Sequence, residues 1–101
     1  MNQSNRETAT APAVIPKATD YAIKRTIVDL IELYIRGKLS LAMIASFAET
    51  IQHFIGQKNR NTWELLEQLR LLADHPHIEE EQVWDVLLAI LKQVKKELRH
   101  T

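Results

Sequence analysis

Between Glu79 and Arg99 the apolar residues Val83, Leu87, Ile90, Leu91, Val94 and Leu98 fall at i, i+4, i+7, i+8, i+11 and i+15. A chain brings such positions onto one side only by coiling at about 3.6 residues per turn. Glu79, Glu80, Glu81 and Asp85 crowd the start of this segment, and Lys92, Lys95, Lys96 and Arg99 crowd its end. Each group sits where its charge complements the helix dipole. No segment alternates with period two, so strands are not expected and the fold class is all-α.

Three more helices follow from the same periodicity and from sparse punctuation. The spacing of Ile23, Ile27, Leu30, Ile31 and Tyr34 predicts a helix over about 20–36, opened by Thr19 or Asp20 and stopped by Gly37. Ser40 should cap a second helix over 41–56. Ile44, Phe47, Ala48, Ile51, Phe54 and Ile55 form its apolar stripe, and Gly56 ends it. A third runs over 62–74, with Leu65, Leu66, Leu69 and Leu72 inward and Pro76 forbidding continuation. Asn61 and Glu64 fit a capping box at its start. The fourth covers 79–99.

Short corners make sequential helices antiparallel neighbours, so the expected architecture is a four-helix antiparallel bundle or an irregular helical array. Residues 19–101 would form this single domain. Residues 1–18, with Pro12 and Pro16 among Thr, Ala, Asn and Ser, are expected to be a flexible, disordered N-terminal tail. Val28, Ile35, Leu71, Trp84 and Leu88 lie off the main stripes, which implies either a wider core or a second apolar face for a partner.

The totals exclude several function classes. The 101 residues carry 13 basic and 13 acidic side chains, so no overall field draws in nucleic acid or anionic lipid. With no cysteine there is no disulfide, thiolate metal site or thiol nucleophile. No secretory signal and no apolar run of about 20 residues is present, so a soluble, cytoplasmic chain without membrane contact is the expectation. Two glycines cannot build a phosphate-cradling loop. His53, His75, His77 and His100 follow no metal-ligand spacing, and three consecutive acids at Glu79–Glu81 point around a helix rather than at one atom. No catalytic, cofactor-binding or metal-binding residues are assigned, and no enzyme is expected.

The stretch "IGQKNRNTW", residues 55–63, has a complete structural explanation as a helix stop, a polar turn and a helix start. Its functional alternative is a docking corner. Lys58, Arg60, Asn61 and Trp63 would then carry recognition, with Trp84 as a second anchor, because Trp and Arg dominate interface hot spots.

From Met43 onward the chain resembles the N-terminal helical domain of the regulatory, beta-type subunits of eukaryotic translation initiation factor 2B. The stretches that carry the likeness are "MIASFAETIQHFIGQKNRNTWELLEQLRLL" and "VWDVLLAILKQVKKEL". Glu64, Leu65, Leu66, Leu69 and Arg70 match that family's middle pattern, while Val86-Leu87 to Glu97 approximates its last helix. Val83-Trp84-Asp85 stand where the family has Gly-Asn and Arg-Arg. The likeness covers only the helical half of such subunits. It implies a non-catalytic module that binds the alpha subunit of initiation factor 2.

The sequence therefore predicts a helical protein–protein interaction module, adaptor-like or regulatory, with another protein as partner. Two alternatives stand beside it. One is a self-associating scaffold whose homodimer completes the bundle. The other is a nucleic-acid-associated regulator using the basic end formed by Lys92, Lys95, Lys96 and Arg99.

Overall fold

The computed structural model describes residues 16–56, 59–75 and 78–100. Four helices and no strands are found among them: α1 (Lys17–Ile35), α2 (Leu41–Ile55), α3 (Arg60–Ala73) and α4 (Glu80–Arg99). Most of the expected tail lies outside the described residues. Lys17 and Ala18, however, already belong to α1.

The ends of the helices are closed by a mixture of backbone and side-chain caps. α1 starts after Pro16, whose φ of −59° is already helical in value and whose carbonyl accepts from the Asp20 amide at 3.0 Å. Neither Thr19 nor Asp20 is therefore the cap, and the Asp20 carboxylate is left for other partners. At the other end, Gly37 has φ 74°, its N–H donates to the Tyr34 carbonyl, and the Lys38 N–H donates to the Leu33 carbonyl. This pair of bonds is the Schellman arrangement. Ser40 caps α2 as expected, its Oγ accepting from the Met43 amide at 3.2 Å.

The start of α3 departs from the sequence expectation. Asn59, not Asn61, is the cap, and its side-chain oxygen accepts from the Thr62 amide at 3.4 Å. Asn59 can serve two ends at once, since its amide nitrogen also donates to Asp20 Oδ1 at 2.8 Å. Asn61 has no such second partner at the cap. The helix thus begins two residues early, and Glu64 pairs with Arg60 rather than reaching back to a capping residue. At α4, the Glu79 N–H donates to Gln82 Oε1 at 3.2 Å.

Buried side chains from all four helices form one core. Ile27, Ile31, Ile44, Leu66, Leu69, Leu87 and Val94 are among those closed from solvent. The most extensive interface joins α2 and α3, the hairpin in the middle of the chain, and the next joins α1 and α4, its first and last helices. α1 and α4 run antiparallel. Lys24, early in α1, meets Glu97, late in α4, while Tyr34, late in α1, meets Trp84, early in α4. The starts of α1 and α3 and the end of α4 consequently gather at one end of an antiparallel bundle.

The apolar stripe of α2 needs correction. Its buried residues are Ile44, Ala48, Gln52 and Ile55, whereas Phe47 is 47% exposed and Phe54 is 77% exposed. At about 100° per residue these phenylalanines lie roughly a quarter turn round from the core arc. The helix was apolar on two adjacent sides, and packing against α3 chose one of them. Gln52 enters the core arc because its amide donates to the Trp63 carbonyl at 3.2 Å and to Glu67 Oε1 at 3.0 Å. Of the residues off the main stripes, Val28 is buried, while Ile35, Leu71 and Leu88 are exposed.

Candidate interaction surface

The docking corner anticipated from sequence is largely occupied by its own fold. Lys58 lies outside the described residues. Arg60 is exposed and makes a 3.3 Å contact with Glu64. Asn61 donates to Glu97 Oε1 at 3.0 Å, a contact across 36 residues of chain. Trp63 is half-buried against the core, and Trp84 is half-buried with its ring centroid 5.8 Å from that of Tyr34. The two tryptophans do not converge. Trp63 opens α3 beside the end of α4, and Trp84 stands about 20 Å away along α4 from Glu97.

The corner instead belongs to a polar network that the sequence does not announce. Asp20 Oδ1 accepts from Asn59 Nδ2 and from Thr62 Oγ1, and Thr62 is fully buried. Lys24 Nζ stands 3.0 Å from Asp20 and 2.9 Å from Glu97. Glu97 also accepts from Asn61 and Gln93. One ammonium between two carboxylates thereby ties α1 to α4, and the asparagines and threonine tie both to α3. Burial disfavours the charged form of Lys24, but its hydrogen bonds to Glu97 and Asp20 outweigh this and raise its pKa above the ordinary lysine value. Burial would likewise push the Glu97 carboxyl up, yet the bonds from Gln93, Lys24 and Asn61 hold it below the usual carboxylate range. Every member of this network has partners within the fold, so its role is to position the helices.

A second polar cluster lies beside Trp63. Arg70 grips Glu67 with two nitrogens, at 3.1 and 2.8 Å, and reaches Asp74 at 3.3 Å. The bonds from Arg70 and Gln52 keep the Glu67 carboxyl low. Glu49, Gln52, His53 and Trp63 complete a shallow, polar cavity of about 300 Å³ beside this pair. Between α3 and α4, which touch little, Leu65, Val86, Ala89 and Ile90 floor a more apolar groove of about 380 Å³. At the basic end of α4, Lys95 is drawn to Glu32 of α1 at 3.4 Å.

The largest unshielded aromatic surface is on α2. Met43 is 48% exposed, and together with Phe47 and Phe54 it forms a row at i, i+4 and i+11. α2 is the most apolar of the four helices, and Glu49 is its only acidic or basic residue other than His53. Isolated exposed apolar residues are ordinary on a protein surface, but an aligned row with this much aromatic area is a recognised mark of a contact site. Amphipathic spacing does reveal both sides of α2 in the sequence. What it lacks is any signal for which side turns outward.

Among the described residues no helix is long and apolar enough to cross a membrane, and no group of three or more His, Cys, Asp or Glu side chains is placed to hold a metal ion. No protein-family model, curated protein or solved structure matches the chain.

Proposed function

We propose that the protein is a non-catalytic helical interaction module that binds a protein partner through the outer face of α2. The observation that carries this reading is the row formed by Met43, Phe47 and Phe54, exposed on a helix with a single carboxylate. Trp63 and Trp84, the residues best suited by type to anchor an interface, are instead half-buried within the bundle. The contact is therefore assigned to the phenylalanines. Arg60, exposed at the adjoining corner, is the one described residue of the expected docking corner that stays available at the rim.

The resemblance to the helical domain of the initiation factor 2B regulatory subunits is a resemblance to a module of this same class. On that basis the alpha subunit of initiation factor 2 is one defined candidate for capture. The test is affinity capture by the folded chain, with mass-spectrometric identification, comparing the natural protein with its Phe54→Asp variant. Retention of a partner by the first and its loss by the second, at unchanged helical circular dichroism, is expected. Equal retention by both would remove α2 as the contact face.

A further inference from the structure

We infer that the occupant of the α2 face is a second copy of this chain, its α2 lying antiparallel across the first. This rests on the assignment of α2 as the contact surface and adds what covers it. The carrying observation is a spacing. Met43, Phe47, Thr50 and Phe54 step by four, three and four residues, and all four are exposed. That alternation is the seam of a two-helix coil, in which knobs from one helix enter holes on its neighbour.

The seam is also self-complementary in size. When a twofold axis crosses α2 between Ala48 and Glu49, Met43 faces Phe54 of the partner copy and Phe47 faces Thr50 of the partner copy. Every layer then sets a phenylalanine against a smaller or more flexible side chain. A methionine is well suited to this, because its thioether adapts to a ring edge. A parallel alignment would instead oppose ring to ring in two layers and threonine to threonine in another. The isologous, twofold arrangement is the one that fills each layer evenly.

Charge does not select a different partner. The seam carries no ionisable group. Glu49 lies about 130° round the helix from it and acts electrostatically on Arg70 of α3. Within the seam two copies therefore bring no like charges together, and a charged partner would find no counter-charge along it. The area sets the strength. Exposure of 48%, 47% and 77% at Met43, Phe47 and Phe54 leaves roughly 350 Å² of apolar side chain on each copy, taking about 200 Å² for a whole one. With Thr50 of the seam and the flanking Ser46 and Ile51 the pair reaches about 1,000 Å² in total, the lower bound for a specific interface. A reversible, micromolar-class dimer is the consequence.

Sedimentation velocity on the full chain, across a dilution series from roughly micromolar to millimolar, reads this directly. The natural protein should pass from monomer to dimer within that range. Phe54→Asp should raise the midpoint concentration at least about thirtyfold, as loss of an interface hot spot does. Leu88→Asp, which charges a comparably exposed apolar residue on α4 (47% exposed), should leave the midpoint alone. Because the chain has no cysteine, orientation is read by oxidising a mixture of Met43→Cys and Phe54→Cys proteins. The antiparallel seam gives the mixed 43–54 disulfide; 43–43 and 54–54 products would overturn it. A monomer at every concentration overturns the self-pairing, as does a dimer insensitive to Phe54→Asp. If that monomer still retains another protein in a Phe54-dependent way, only the occupant is wrong. If it retains nothing, the α2 face itself is refuted as a contact surface.

Discussion

Replacing Lys24 by Met removes the cation that bridges Asp20 and Glu97 at the joint between α1, α3 and α4 while keeping most of its apolar stem. The side chains concerned are mostly shielded: Lys24 is 13% exposed, Asp20 18% and Glu97 19%. Exposed ion pairs contribute only about 0.2–1 kcal/mol, and breaking a fully buried pair costs about 3–5 kcal/mol. The variant falls between, because Asp20 keeps its bonds from Asn59 and Thr62, and Glu97 keeps those from Asn61 and Gln93. A loss of about 2 kcal/mol is expected at pH 7, which lowers Tm by roughly 8–16 °C in a domain of this size. The pH dependence follows from the direction of each shift. The Glu97 pKa is held below its ordinary 4.5, so its contribution is complete above 4.5 and is lost as pH falls through the lower folded value. The Lys24 pKa is raised above 10.5, so its contribution is complete below 10.5 and is lost as pH rises through the higher folded value. Urea unfolding of both proteins at pH 7 and pH 3 is the assay. The difference between them should be smaller at pH 3 than at pH 7, because the Glu97 contribution is lost as pH falls from 4.5 through its lowered folded value. A loss under about 0.5 kcal/mol at pH 7, or an equal loss at both pH values, would refute the account of the joint.

Four further outcomes are expected, each measurable by thermal or urea unfolding. Asn59→Ala should cost about 1–2 kcal/mol, since it removes the α3 cap and one donor to Asp20, whereas Asn61→Ala should cost under about 1 kcal/mol. The reverse order would restore Asn61 as the cap. Gly56→Ala should cost about 1–3 kcal/mol although open space surrounds the added methyl, because φ 60° with ψ −151° is a region that glycine alone occupies comfortably. Gly37→Asn should be milder than that change, as Asn tolerates the left-handed cap at φ 74°. Trp63→Ala should lower stability by about 2 kcal/mol, around half the cost of a fully buried tryptophan, with binding lost only through unfolding.

The candidate contact face was only half legible in advance. Phe47 and Phe54 stood out as apolar at helical spacing, but so did Ile44, Ala48, Ile51 and Ile55, and both sets are compatible with one amphipathic helix. The aromatic and cationic residues of the corner drew attention by their type, which reports what a side chain can do and not which way it faces. Trp63 turned toward the core, and Asn61 was claimed by a glutamate 36 residues away.

Local chemistry decided the helices themselves. The 3.6-residue recurrence in α4, the hydroxyl of Ser40 and the positive φ values of Gly37 and Gly56 all act within a few residues, so they can be read without knowing what packs nearby. Tertiary structure decided the rest. The choice between two apolar arcs on α2 depended on where α3 came to lie. The selection of Asn59 over Asn61 depended on Asp20, 39 residues earlier, needing a donor. The Lys24 bridge required both ends of the chain to meet. Such partners are set by packing in space, and a shielded charge or amide takes whichever counterpart the assembled core leaves within reach.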